Sequence, residues 1–162
     1  MTESEKRYFS DMYEKYSKSV YGVCLMYLKN KDDAEEAVSE SYVRLMGNAP
    51  SFESEAHAKS YLMRTAVNIC KNYLKSGWRK HTIQDEDVLM YMTTPTEQTV
   101  MNEVLSLPPK YRVIIYMHYY AGYSTREIAD MMNISQSAVL SRLSRGRNKL
   151  RDILTEGGFY YA

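Results

Sequence analysis

Proline is confined to Pro50, Pro95, Pro108 and Pro109, and no two glycines are adjacent before Gly157. These residues are the strongest local interrupters of regular structure, so the stretches between them are free to form long helices. The apolar spacing agrees. Phe9, Met12, Tyr16, Val20, Val23 and Tyr27 recur at intervals of 3, 4, 4, 3 and 4 residues, one face of a helix over about residues 4–28. Thr2 and Glu5 can form a capping box at its start. A second helix is expected over about 31–46, with Asp32, Asp33, Glu35 and Glu36 at the positive end of its dipole and Gly47 as a stop. A third is expected over about 55–76, capped by Ser54 and ended by Gly77. Its apolar face is Ala58, Leu62, Thr65, Ala66, Ile69 and Tyr73. Arg64, Asn68, Lys71 and Lys75, spaced 4, 3 and 4, line the other side.

Residues 77–95 show no sustained period and end at a proline, which reads as a linker. Beyond it the pattern predicts helices over about 97–106, 108–120, 125–132 and 135–154. Pro108-Pro109 suits a first turn, Gly122 breaks the second of these helices, and Ser124 with Glu127 makes a second capping box. Asn133 tolerates the left-handed turn conformation, and Ser135 caps the last helix. Leu105, Leu107, Val113, Ile114, Met117 and Val139 form the expected second core. The expected fold is all-α, with two small helical domains, residues 1–76 and 96–156, joined by a flexible linker at 77–95 and followed by a tail at 157–162.

A chain of 162 residues divided this way has small cores, and domains of that size must be compactly helical or lean on a partner. Cys24 and Cys70 are too few for a disulfide scaffold or a thiolate metal site and read as buried hydrophobes. The amino terminus has no signal-peptide core and no run approaches the length of a membrane span, so a cytoplasmic protein without membrane insertion is expected. His57, His81 and His118 lie in separate segments without nucleophile or zinc spacing, and no glycine-rich phosphate loop occurs. No enzyme activity, metal, cofactor or small-molecule substrate is therefore expected.

The net charge of +1 conceals its distribution. Residues 1–55 hold 11 acids against 7 bases. Residues 56–84 hold no acid but Lys59, Arg64, Lys71, Lys75, Arg79 and Lys80. No acid lies between Asp130 and Asp152, where Arg142, Arg145, Arg147, Lys149 and Arg151 cluster. Two acid-free basic strips suit a phosphate backbone, whose counterions they would displace. The stretch 126–142 has a helix-turn-helix layout, with Ile128, Ala129, Ile134, Val139 and Leu143 as inner contacts. Its second helix begins with uncharged polar residues, Gln136, Ser137, Ser141 and Ser144, and ends in arginines. Such a helix can set its start against base edges in the major groove and its basic end against phosphates.

The chain resembles a small RNA polymerase sigma factor of the extracytoplasmic-function (ECF) type, in the sigma-70 family. The resemblance rests on Asp33–Arg44, Tyr61–Leu74, Leu107–Arg112, Gly122–Ala129 and Ala138–Arg147, in that order and spacing. It implies a region 2 three-helix bundle and a region 4 helix-turn-helix. It also implies binding to RNA polymerase core, at the β′ clamp coiled coil and the β flap, binding to promoter DNA, and an inhibitory anti-sigma factor of the kind common in the family. For the clamp, the matching positions are Asp33, Glu36, Ser39, Glu40 and Arg44, with Ser39 where the family usually has Gln. For the −10 strand they are Arg64, Asn68, Lys71 and Lys75, Asn68 lining the pocket for a base turned out of the stack. For the −35 duplex they are His118, Thr125, Arg126, Ser137, Ala138, Leu140, Ser141, Ser144 and Arg145. Leu140 replaces a frequent Arg. Trp78 can stack on a base or cap the core. A helix-turn-helix regulator that does not engage polymerase would explain residues 122–154 but not the acidic second helix or the polar face of the third. A helical scaffold for another protein would bind without dependence on salt.

Overall fold

The computed structural model describes residues 2–48, 52–76, 85–91 and 100–156, and the ordered elements among them are all helical. Three helices make the amino-terminal module: α1 (Glu3–Leu28), α2 (Lys31–Asn48) and α3 (Glu55–Lys75). The caps read from the sequence are present. At the start of α1 the Thr2 and Glu5 amides each donate to the other's side-chain oxygen, and Ser54 Oγ accepts from the His57 amide at the start of α3. Between α1 and α2 the chain turns at Lys29, a left-handed residue with φ 52°, a position with no sequence marker. Asn30 then caps α2, its Oδ1 accepting from the amides of Asp32 (2.9 Å) and Asp33 (3.0 Å). Gly47 does not stop α2; it lies inside the last turn.

Val20, Val23 and Tyr27 of α1, Ala34, Ala37 and Leu45 of α2, and Leu62, Ala66 and Ile69 of α3 fill the centre of this bundle. The spacings within each set are three, four or eight residues, which turns one stripe per helix inward.

In the carboxy-terminal module α5 (Met101–Leu105) leads into α6 (Pro109–Ile115), which continues as a π-helical turn over Tyr116–Tyr120. The sequence pattern predicted an uninterrupted helix there. The wider turn has no local signature, since all of its residues are ordinary helix or sheet formers. α7 (Thr125–Met132) and α8 (Gln136–Glu156) follow, with the predicted Ser124–Glu127 capping box and with Asn133 left-handed at φ 54°. Gly122 takes φ 80° in the loop before them.

The linker expectation needs correcting for the residues that are described. Asp85–Tyr91 forms a short helix, α4, whose Val88 is fully buried. Asp87 accepts a hydrogen bond from the Lys31 amide (2.9 Å), and Tyr91 donates to the Lys18 carbonyl (3.3 Å). This segment is docked on α1 and the start of α2. Gly77, Trp78, residues 97–99 and the tail lie outside the described residues. The two modules are also in contact, since their buried apolar side chains belong to one continuous cluster.

Candidate nucleic-acid and polymerase interfaces

α8 is seated by Val139, Leu143 and Gly146, which are buried. A side chain at Gly146 would press its Cβ to 2.9 Å from Ile115 Cδ1, so glycine sets how closely α8 approaches α6. The opposite face carries Ser137, Leu140, Ser144 and Arg145, all exposed, with Ala138 and Ser141 partly so. Leu140 is 52% exposed although apolar. Gln136 Nε2 donates to Thr125 Oγ1 (2.9 Å), which ties the starts of α7 and α8 together. That bond places Thr125 and exposed Arg126 beside the reading face. His118 sits in the π turn, where its Nδ1 bonds the Tyr123 carbonyl (2.9 Å) and its ring meets Tyr119 edge-on. Arg147 donates to Tyr119 Oη (2.8 Å), a contact the sequence did not suggest. Of the nine residues expected at the −35 element, six lie along the outer side of the first half of α8, Thr125 and Arg126 stand at the tied start of α7, and His118 lies apart in the π turn.

On α3 the four expected −10 residues lie on the side away from Leu62 and Ile69, but they are not equally open. Asn68 and Lys75 are exposed. Arg64 is held by α7 of the other module: its Nε donates to the Asp130 carbonyl (2.8 Å), and its Nη2 pairs with the Asp130 carboxylate. Lys71 is half-buried. Its ammonium is pushed below the ordinary lysine range by that burial first, and then by the neighbouring charges of Arg142 and Lys75. The four residues share one side of α3, as their spacing predicts, with Asn68 and Lys75 open and Arg64 and Lys71 partly covered.

The Asp130 carboxyl is held below the usual aspartate range by its hydrogen bond from Ser60 and then by Arg64. A depressed acid contributes its stabilisation at neutral pH and loses it as pH falls through the folded value. Acidification below the ordinary aspartate range is thus expected to break the pairing of Arg64 Nη2 with the Asp130 carboxylate while its Nε keeps the backbone carbonyl. The same loss is expected at pH 7 in Asp130→Asn. Arginine side-chain NMR of the Arg64 Nη groups checks both.

The outer face of α2 presents Glu36 and Ser39, with Glu40 bridged to Arg44 (2.8 Å) and accepting from Tyr73 Oη (3.0 Å). Asp33 is the exception. At 2% exposure it is buried in the first turn of α2, where the helix dipole favours an acid, and in this arrangement it does not present itself to a partner. Two residues overlooked in the sequence join this face: Val43 at 65% exposure and Met46 at 41%. Their helical spacing could have revealed them, since they fall out of phase with the buried stripe. A groove of about 580 Å³ between α1 and α2 is lined by Tyr13, Tyr21, Glu35 and Ser39.

Among the described residues no His, Cys, Asp or Glu cluster could hold a metal, and no helix is long and apolar enough to cross a membrane. Two helical modules, one carrying a helix-turn-helix whose exposed face is small and polar and is flanked by arginines, define a DNA-binding transcription protein. Family models narrow the class. Residues 12–80 match sigma-70 region 2, and residues 97–150 match sigma-70 region 4, together about three quarters of the chain. The chain belongs to the sigma-70 family and is an alternative sigma factor of the ECF type, which binds RNA polymerase and directs promoter-specific transcription initiation. Among its relatives are the ECF RNA polymerase sigma factor SigW of Bacillus subtilis and the ECF RNA polymerase sigma-E factor of Haemophilus influenzae. The first is 26% identical over 91% of this chain and 89% of that protein. The second is 25% identical over 93% of this chain and 89% of that protein. Two solved structures share the fold. CnrH, in complex with the cytosolic domain of CnrY, superposes with a TM-score of 0.69 at 18% identity, over 93% of this chain and 90% of that one. RpoE of Bartonella quintana, in complex with the anti-sigma factor NepR, gives 0.64 at 20% identity, over 91% and 96%.

Proposed function

We propose that α8 reads the −35 duplex, that the outer side of α3 holds the melted −10 strand, and that the outer face of α2 docks on the β′ clamp coiled coil. The observation that carries this reading is the exposed stripe of α8. Ser137, Leu140, Ser141 and Ser144 lie on one face and Arg145 follows, with Thr125 and Arg126 tied alongside. Small uncharged side chains allow close approach to base edges, and the arginine supplies phosphate contact. Leu140 provides an apolar contact for a thymine methyl rather than the bidentate guanine contact of an arginine. On α3, Asn68 carries both donor and acceptor groups for an extruded base, and Lys75 reaches the backbone beside it.

The protein acts in the cytoplasm, where polymerase is, and catalyses nothing itself; bond making belongs to polymerase. The solved relatives CnrH and RpoE are held by CnrY and NepR. By the same fold this chain takes an inhibitory anti-sigma factor.

Run-off transcription with core polymerase, followed by sequencing of the transcript starts, tests the reading and reports the promoter. Asn68→Ala is expected to lower open-complex formation about tenfold, read by permanganate footprinting, with duplex −35 binding nearly unchanged. Arg145→Ala is expected to weaken duplex binding about tenfold and reduce its salt slope by about one phosphate contact. Equal effects of the two variants on both assays would overturn the assignment of roles.

A further inference from the structure

The row of side chains that α8 turns outward does not stop at Ser144. Ser137, Ser141 and Ser144 recur at intervals of 4 and 3 residues, and Asn148 and Arg151 continue the row at 4 and 3 again. Both are exposed, on the side away from buried Val139, Leu143 and Gly146. At about 1.5 Å per residue, Arg151 lies about 10 Å along the helix beyond Ser144, or about three base-pair steps of a duplex. Arg147, also exposed, stands at the edge of the row nearer the π turn.

Both arginines are aimed, and by neutral groups. Arg151 Nη2 donates to Asn148 Oδ1 (2.8 Å), one turn back on the row. Arg147 Nη1 donates to Tyr119 Oη (2.8 Å), and the Tyr119 ring meets that of His118 edge-on with centroids 4.9 Å apart. Arg44 and Arg64, by contrast, are paired with carboxylates. A guanidinium has five N–H donors, so one bond to a neutral oxygen fixes its direction and leaves its charge and most of its donors for an anion. A side chain already held in place also loses less rotamer freedom on binding. The row ends at Asp152, the first acid after Asp130, which is exposed beside Arg151 and would repel a phosphate.

We propose that Arg147 and Arg151, aimed by Tyr119 and Asn148, grip the phosphate backbone on the flank of the −35 element, so that the duplex contact runs about three base pairs past the bases that Ser137–Arg145 face. The inference rests on the placement of α8 on the −35 duplex. Duplex phosphates suit this row better than an acidic protein does, because the row is continuous with the reading face and a duplex seated there carries its charged backbone on along it. Such a grip adds affinity and salt dependence but no base preference.

The full chain is tested on fluorescent duplexes carrying the −35 element of a promoter recovered by sequencing transcript starts, either trimmed to the element or extended by about six base pairs on each side, roughly twice the reach expected of the grip. Anisotropy over a series of salt concentrations gives the affinity and its salt slope. The wild type should bind the extended duplex about tenfold more tightly than the trimmed one, with a slope steeper by about two phosphate contacts. The Arg147→Gln/Arg151→Gln variant should lose that advantage and match the wild type on the trimmed duplex. Any general weakness of binding near DNA ends persists in the variant, so the loss of the difference is the signature. A variant that keeps the wild-type preference for the extended duplex overturns the grip and leaves the reading by α8 intact; if it also fails in run-off transcription, the row serves a protein partner instead. The absence of specific starts, or a wild type that binds a scrambled element as tightly as the native one, overturns the placement of α8 and the grip with it.

Discussion

Val43→Asp is expected to weaken association with core polymerase by about 30-fold, as measured by competition or biolayer interferometry, with a melting temperature within about 2 °C of the wild type. Val43 is two-thirds exposed on α2, and Met46, three residues on, shares its face. Glu36, Ser39 and the Glu40–Arg44 pair border them. A small apolar centre with a polar rim is the composition of a protein interface, and such centres hold the residues whose loss costs about 2 kcal/mol or more. A carboxylate at that centre must be desolvated against the partner without a counter-charge of its own. In the free chain it stays in water on an exposed helix face, where substitutions change stability by about 0.5 kcal/mol or less. The contrast between a large binding effect and a small stability effect is the diagnostic. Unchanged affinity for core would remove the outer face of α2 from the polymerase interface.

The parts of this structure that were legible in the sequence are those decided within one turn of chain. The Thr2–Glu5 and Ser124–Glu127 boxes, the Ser54 cap and left-handed Asn133 depend on neighbours three or four residues away, and the bounds of the helices follow from the same local rules. Lys29 shows the limit of that reasoning. Nothing in a lysine announces a left-handed helix cap, and its ammonium bonds a carbonyl 76 positions away. Arg112 reaches back 86 residues to Met26, and Arg64 forward 66 to Asp130. Contacts of such separation leave no period behind. For that reason the modules read as independent, and residues 85–91 read as part of a loose tether. The candidate site divides the same way. Membership of the α8 stripe could be read from spacing, whereas the partial covering of α3 and the burial of Asp33 depend on what packs over them.

The second large effect is expected one residue from Asn68, the position proposed to hold the −10 base. Ile69→Ala should lower stability by about 3 kcal/mol, whereas Asn68→Ala should change it by about 0.5 kcal/mol or less. Ile69 is 1% exposed on the inner side of α3, and Asn68 points the other way. Truncating the isoleucine loses its transfer energy and leaves a cavity that three packed helices cannot close. In a chain of this size the loss corresponds to roughly 6–12 °C in melting temperature, read by circular dichroism. The two variants should separate in function as well. Well below its melting point Ile69→Ala keeps the polar side of α3 in place, because the helix is still formed, and open complexes should form at close to wild-type levels. Asn68→Ala should lose them at every temperature with no change in the melt. If Ile69→Ala abolished open complexes in the cold while remaining folded, precise packing beneath α3, rather than the groups on its outer side, would be what positions the strand.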